Sequence, residues 1–152
     1  MSAKLLALSP GWEGALQAML EALRAAGEER LFHPHEFTDE TLARLASRPG
    51  KDYYCVLADG ATVLGYGLLR GWNEGYRIPR LGIAVHPGFR RQGHAEALMA
   101  HLHDEAARRG AAKVELRVLA DNEAAISLYR SLGYRFERKD GAYFVGALEL
   151  GR

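Results

Sequence analysis

Cysteine is almost absent from this sequence: Cys55 is the only one, which excludes an internal disulfide and a cysteine-rich metal centre. It lies in the apolar run Tyr54-Cys55-Val56-Leu57, where a buried structural thiol is expected rather than a nucleophile. No apolar run reaches membrane-spanning length. The N-terminal stretch Leu5–Leu8, cut off by Ser9-Pro10, is too short for a secretory leader, so the cytoplasm is the expected compartment. An excess of one charge is also missing. Twenty basic residues against 19 acidic ones leave a formal charge of +1, which argues against a nucleic-acid partner, and no membrane partner is expected.

What is present is an ordinary globular balance, 48% hydrophobic and 26% charged over 152 residues. That is enough for one domain, 1–152, and one core. No repeat, linker or low-complexity tract interrupts it.

Trp12, Ala15, Leu16, Met19, Leu20 and Leu23 recur at helical spacing, and Gly27 closes the segment. Thr38 can cap a second helix, with Asp39 and Glu40 at its positive end and Pro49-Gly50 as its stop. Tyr53–Ala58, the Asp59-Gly60 turn and Thr62–Leu69 predict a β-hairpin. A loop at 71–75 precedes a strand from Ile78 to Val85. A helix from Gly93 to Gly110 carries Ala95, Leu98, Met99, Leu102 and Ala106 on one face. Lys113–Leu119 predicts a strand. Asp121 or Asn122 then caps a helix bearing Ala125, Leu128, Tyr129 and Leu132, stopped by Gly133. A hairpin of 134–138 and 142–150 turns at Lys139-Asp140-Gly141. The element order predicts an α/β (α+β) fold around a mixed sheet.

The segment from Gly82 to Met99 runs a buried strand into a basic turn that opens a helix. The first amides of a helix lack intrahelical acceptors and, with the helix dipole, form an anion site. Gly93 and the small Ala95 allow a phosphate close approach, and Arg90 and Arg91 supply charge-assisted donors. The plainer alternative is a solvated basic helix start. A Walker turn is disfavoured by the lack of a Gly-Lys-[Ser/Thr] step, and a dinucleotide turn by the presence of Gly93 alone.

Arg90-Arg91-Gln92-Gly93-His94-Ala95 resembles motif A of the GNAT superfamily of N-acetyltransferases, [Arg/Gln]-x-x-Gly-x-[Gly/Ala]. Asn122, Ala125-Ile126 and Leu128-Tyr129-Arg130-Ser131-Leu132-Gly133-Tyr134 resemble its motif B. Together the motifs and element order cover roughly 53–150, and the first 50 residues fit the family's variable helices.

The resemblance implies a mostly antiparallel central sheet flanked by helices, with a strand–helix–strand core that binds coenzyme A. It implies acetyl-CoA as donor, no metal, and direct transfer to an amine in a ternary complex. Ile83, Ala84 and Val85 would run beside the acetyl-pantetheine arm. Arg90, Arg91, Gln92, Gly93, His94, Ala95 and Glu96 would surround the pyrophosphate, and Asn122 would contact the pantetheine chain. Tyr129 would protonate the leaving thiolate, although a core aromatic is its bland alternative. A backbone N–H such as that of Val85 would polarise the thioester carbonyl.

The subgroup acetylating ribosomal protein N-termini uses a glutamate in Leu-Glu-Val as base, and Arg117 stands there. Glu74 is then the first candidate base, with His86 behind it. Glu115 shares a strand face with Arg117, so an ion pair between them stands beside a catalytic role as the reading of Glu115. His33 and His35 lack a third ligand for a metal. His101 and His103 cannot share a helix face. Phe32–Phe37 is expected to line the acceptor side, and Tyr66, Trp72 and Tyr76 to offer an aromatic surface.

The acceptor expected is a small-molecule primary amine, an amino sugar being one class. The alternatives are a protein N-terminus or lysine, or a non-catalytic acyl-CoA-binding module. Homodimers are common among such relatives.

Overall fold

The computed structural model describes residues 3–47 and 50–151. Seven strands form one sheet: β1 Lys4–Ala7, β2 Tyr53–Asp59, β3 Thr62–Arg70, β4 Arg80–Val85, β5 Lys113–Leu119, β6 Arg135–Asp140 and β7 Tyr143–Glu149. Their spatial order is β1-β2-β3-β4-β5-β7-β6. Every pairing is antiparallel except β4 with β5. Four α-helices flank it: α1 Glu13–Ala25, α2 Asp39–Ala46, α3 His94–Arg108 and α4 Glu123–Ser131. Single 3-10 turns occupy Glu29–Leu31 and Pro87–Phe89.

The sheet is covered on both faces near its centre. Strands β2 and β3 are therefore buried almost continuously rather than on alternate residues. On one face Leu16, Met19, Leu20 and Leu23 of α1 and Leu42 and Leu45 of α2 meet Val56, Tyr66, Leu68 and Ala84. On the other, Leu98, Met99, Leu102 and Ala106 of α3 and Tyr129 of α4 meet Cys55, Leu64, Leu81, Leu116 and Val118. The helix α3 lies unusually close to β3, because a Cβ at Gly65 would stand 2.7 Å from Leu98 and one at Gly67 3.0 Å from Leu102. Those two glycines set the height at which the start of α3 meets the end of β4.

Thr38 caps α2 as expected, accepting from the Thr41 amide at 3.1 Å. The expected stop Pro49 lies outside the described residues; α2 already ends at Ala46 with Ser47 as its cap. The strand expected from Ile78 starts at Arg80, past Pro79, which has no N–H to give a ladder. The last hairpin is tighter than expected, since β6 pairs as far as Asp140↔Tyr143 and turns at Gly141-Ala142. Sequence reading missed β1. Leu5 and Leu6 are too few to show a period, and the strand is fixed by pairing with Leu57 and Val56 of β2. No helix among the described residues is long and apolar enough to cross a membrane.

Candidate active site

The strand end ahead of the basic turn shows a disagreement between two ladders on β4. With β3 the register is complete, from Arg70↔Arg80 to Gly65↔Val85. With β5 it holds only at Arg80↔Glu115, reinforced by the Glu115 N–H donating to the Pro79 carbonyl at 3.0 Å. Beyond that point the parallel strands part. The His86 N–H bonds the Leu64 carbonyl at 2.8 Å, which fixes the alternation along β4. Gly82 and Ala84 therefore turn their backbone polar groups to β3, and Ile83 and Val85 turn theirs into the gap.

The Val85 carbonyl is satisfied by Arg90, whose Nη2 and Nε donate to it at 2.9 and 3.3 Å. The same guanidinium pairs with Glu28 at 2.7 Å. Arg90 is thus held by protein groups, while Arg91 makes no hydrogen bond or ion pair among the described residues. His86 accepts the Gly88 N–H on Nδ1 at 3.0 Å and packs its ring 4.9 Å from Phe89. Burial, then Arg90, hold its pKa below the ordinary imidazole value. An imidazole fixed this way shapes the turn.

Arg91 at φ 62° is the one non-glycine residue in the left-handed region among the described residues, and Gly93 follows at φ 80°. Such alternation of the chain curls successive amides into a concave nest. The helix α3 has no side-chain cap, and its first intrahelical bond is Ala97 N–H to the Gly93 carbonyl. The amides of His94, Ala95 and Glu96 are therefore left without helical acceptors. A Cβ at Gly93 would meet no atom within 4 Å, so the space in front of them is open. His94 Nε2 beside it is shielded from water and has no partner. An uncapped, open, basic helix start suits a phosphate diester.

Asn122, not Asp121, caps α4: its Oδ1 accepts the Ala125 N–H at 3.4 Å. Asp121 instead pairs with Arg30 at 3.2 Å. Tyr129 is 8% exposed, with its ring centroid 5.7 Å from that of Tyr134. Its hydroxyl bonds nothing among the described residues, and burial pushes its pKa up to about 12. Burial does the same to Cys55, as a structural thiol requires.

A cleft of about 790 Å³ opens on the sheet face under the 31–34 segment and the 71–78 loop. Glu74, Glu115, Arg117, Gly82 and Phe32 line it, and Tyr129 does not. The loop is held by Asp52, which accepts from the Gly71 and Asn73 amides at 3.1 Å each, and by Asn73, which accepts from the Lys51 amide at 2.6 Å. A Glu115–Arg117 pair does not form. Glu115 faces Arg80 at 3.9 Å, while Arg117 reaches Asp140 at 3.5 Å and lies over the Tyr143 ring at 4.2 Å. Both do point into the cleft. The expected aromatic surface also disperses. Tyr66 is fully buried, Trp72 packs under Arg109, and only Tyr76, 67% exposed, faces the cleft.

Of the Phe32–Phe37 segment, Phe32, His33 and Pro34 line the cleft. His35 instead bonds the Tyr66 hydroxyl through Nε2 at 2.9 Å. His101 and His103 go separate ways, to the hydroxyls of Tyr53 and Tyr134. No group of three His, Cys, Asp or Glu among the described residues is placed to hold a metal. Sequence reasoning missed Glu28, Arg30, Arg77 and Arg80. The first two carry no local signal, whereas Arg77 and Arg80 flank Ile78-Pro79 just where the strand begins.

A segment of 52 residues is 54% identical to the [ribosomal protein bS18]-alanine N-acetyltransferase of Escherichia coli, covering 34% of this chain and 35% of that protein. Another of 80 residues is 36% identical to an acetyltransferase of Sodalis glossinidius, covering 53% and 55%. The matches thus span about a third to a half of those curated relatives. In fold, the chain resembles the PaiA N-acetyltransferase of Thermoplasma acidophilum in complex with coenzyme A, with a TM-score of 0.85 at 16% identity over 98% and 99% of the two chains. It also resembles the E. coli ribosomal-protein-S18-alanine N-acetyltransferase, with a TM-score of 0.73 at 24% identity over 99% and 96%. The model of the acetyltransferase (GNAT) family matches residues 15–134, which takes in the parted strands, the open turn and Tyr129 alike; this chain belongs to that family.

Proposed function

We propose that this chain, acting as one domain, is an N-acetyltransferase that moves an acetyl group from acetyl-CoA to a primary amine of a small molecule within a ternary complex. The observation that carries this reading is the gap between β4 and β5 opening beside the uncapped start of α3. Acetyl-CoA supplies the activated thioester. The amides of His94, Ala95 and Glu96, with Arg91, Gln92 and Gly93, bind its pyrophosphate, and Arg90 fixes their turn. Ile83, Ala84 and Val85 lie along the pantetheine arm, with Asn122 on its far side. The Val85 N–H polarises the thioester carbonyl.

The amine nitrogen forms a bond to the carbonyl carbon as the carbon–sulfur bond breaks. Glu74 accepts the ammonium proton on the cleft side, and Tyr129 donates a proton to the sulfur. A phenol whose pKa is raised to about 12 remains a protonated donor throughout the neutral range. An amino sugar is one class of small-molecule acceptor. A protein N-terminus is a second reading, favoured by the 54% identity with the bS18-alanine enzyme and opposed by Arg117.

The test is coenzyme A release with amino sugars, amino acids, polyamines and an alanine-initiated peptide, for wild type and Tyr129→Phe. Turnover of a small amine, reduced at least tenfold in the variant at unchanged acetyl-CoA affinity, is expected. Binding without turnover on any amine would leave a non-catalytic acyl-CoA module. Turnover of the peptide alone would select the protein acceptor.

A further inference from the structure

The cleft carries more basic charge than the chain as a whole. Arg30, Arg70, Arg77, Arg80 and Arg117 line it, against the carboxylates of Glu74 and Glu115. Arg30 and Arg117 are matched by Asp121 and Asp140, which do not line the cleft. The other three are not matched in this way. The Arg70 guanidinium donates to the uncharged Pro34 carbonyl, so it is anchored without being neutralised. Arg80, half exposed, has its nearest carboxylate oxygen at 3.9 Å on Glu115, too far for a hydrogen bond. Arg77 has no hydrogen bond or ion pair among the described residues.

Glu74 and Glu115 suit the ammonium form in which an amine arrives. They leave Arg77 and Arg80 as forked donors shaped for a carboxylate or phosphate. Arg80 stands at the last paired position before β4 and β5 part, and three residues of strand, roughly 10 Å, separate it from Ile83 in the gap. A small acceptor can span that distance.

We infer that the acceptor carries an anionic group, a carboxylate or a phosphate, alongside its primary amine, and that Arg77 and Arg80 hold that group. This rests on the N-acetyltransferase reading for the amine but not for the anion.

Matched pairs test it: glucosamine against glucosamine 6-phosphate, and an amino acid against its amide. Rates and calorimetric binding are measured for wild type, Arg77→Gln/Arg80→Gln and Arg77→Lys/Arg80→Lys. The expected result is a tenfold or greater preference in kcat/KM for an anionic member, weakening as salt rises from about 0.05 to 0.5 M. The glutamine pair abolishes the preference through acceptor KM, with acetyl-CoA KM unchanged, and the lysine pair restores part of it. Which pair shows the preference separates phosphate from carboxylate. Equal use of neutral and anionic members, or a preference that survives the glutamine pair, overturns the inference. If no amine is acetylated, calorimetry still decides. Arginine-dependent binding of an anionic member keeps the anion site and sinks the transferase reading, and no binding sinks the site.

Discussion

Arg90 and Glu28 stand 62 residues apart in the chain and meet at 2.7 Å, and the guanidinium that joins them also donates to the Val85 carbonyl at 2.9 Å. One side chain thus ties the basic turn both to the end of β4 and to the segment behind α1. The next residues form the Glu29–Leu31 turn, whose Arg30 pairs with Asp121 beside the α4 cap and lines the acceptor cleft. The short segment from Glu28 to Leu31 therefore touches the basic turn, the residue before the α4 cap and one wall of the cleft.

Loosening this clamp is expected to act on binding more than on folding. Arg90→Ala frees the Val85 carbonyl and the turn together, and acetyl-CoA KM should rise about three- to tenfold, equivalent to roughly 0.6–1.4 kcal/mol. Because both partners are partly exposed, a Glu28→Gln/Arg90→Ala double-mutant cycle in urea should give a coupling of only about 0.5–1 kcal/mol. A coupling above that range with an unaltered KM would make the pair structural only.

The turn at Arg91 and Gly93 separates strain from binding. Arg91 holds φ 62° against a cost of about 1 kcal/mol for a residue with a Cβ. Arg91→Gly should therefore stabilise the fold by about 0.5–1 kcal/mol in chemical denaturation while weakening acetyl-CoA binding. Gly93→Ala should cost about 1 kcal/mol from its φ of 80° and leave binding measurable, because its Cβ enters open space. Gly93→Glu should show a similar stability loss and no detectable acetyl-CoA binding. Retained binding in that variant would remove the pyrophosphate from this turn.

These residues also mark what a sequence can disclose. The strand, turn and helix from 82 to 99 were legible because their signals are local: a glycine, two arginines and a helical period all lie within one short window. The α4 cap was narrowed to two neighbours, and only tertiary pairing of Asp121 with Arg30 left Asn122 for the cap. The parting of β4 from β5 has no signal in the residues themselves, because it depends on a register that fails after Arg80↔Glu115, and it follows only from the family resemblance. Nor was the fate of Glu115 and Arg117 legible. Same-face spacing put both on one side of β5, but β6 brought Asp140 to 3.5 Å from Arg117 and β4 brought Arg80 no nearer to Glu115 than 3.9 Å, neighbours that the period along β5 cannot show.

On the proposed function, Asn122 would have two separable jobs. Its Oδ1 caps α4, and its Nδ2, which makes no hydrogen bond among the described residues, is the group the proposal gives to the pantetheine arm. Asn122→Asp keeps an acceptor for the Ala125 amide but removes the donor. Stability should stay within about 0.5 kcal/mol of wild type while acetyl-CoA KM rises. Asn122→Ala loses both and should cost about 1 kcal/mol. Equal acetyl-CoA kinetics in the two variants and wild type would confine Asn122 to capping.

Behind Phe32, which lines the cleft, lies a group that responds to acid. His35 is half-buried, with Nδ1 against the Glu36 carbonyl at 2.6 Å and Nε2 against the Tyr66 hydroxyl at 2.9 Å. The neutral ring serves both, donating from Nδ1 and accepting at Nε2. Burial, the largest cause, lowers its pKa to about 4 from the ordinary 6.5. Because the folded value lies below the unfolded one, the unfolded chain takes up the proton first as pH falls. Stability is then full above about 6.5 and is lost between there and about 4. His86 and His103, also lowered by burial, add to the same slope. The melting temperature should therefore fall over this window, and His35→Gln, whose amide oxygen can still accept from Tyr66, should flatten the fall without removing it. Tyr66 packs edge-on against Phe32, which lines the cleft, so acceptor KM should rise over the same range before acetyl-CoA KM does. An unchanged slope in His35→Gln would assign the acid response to the other two histidines.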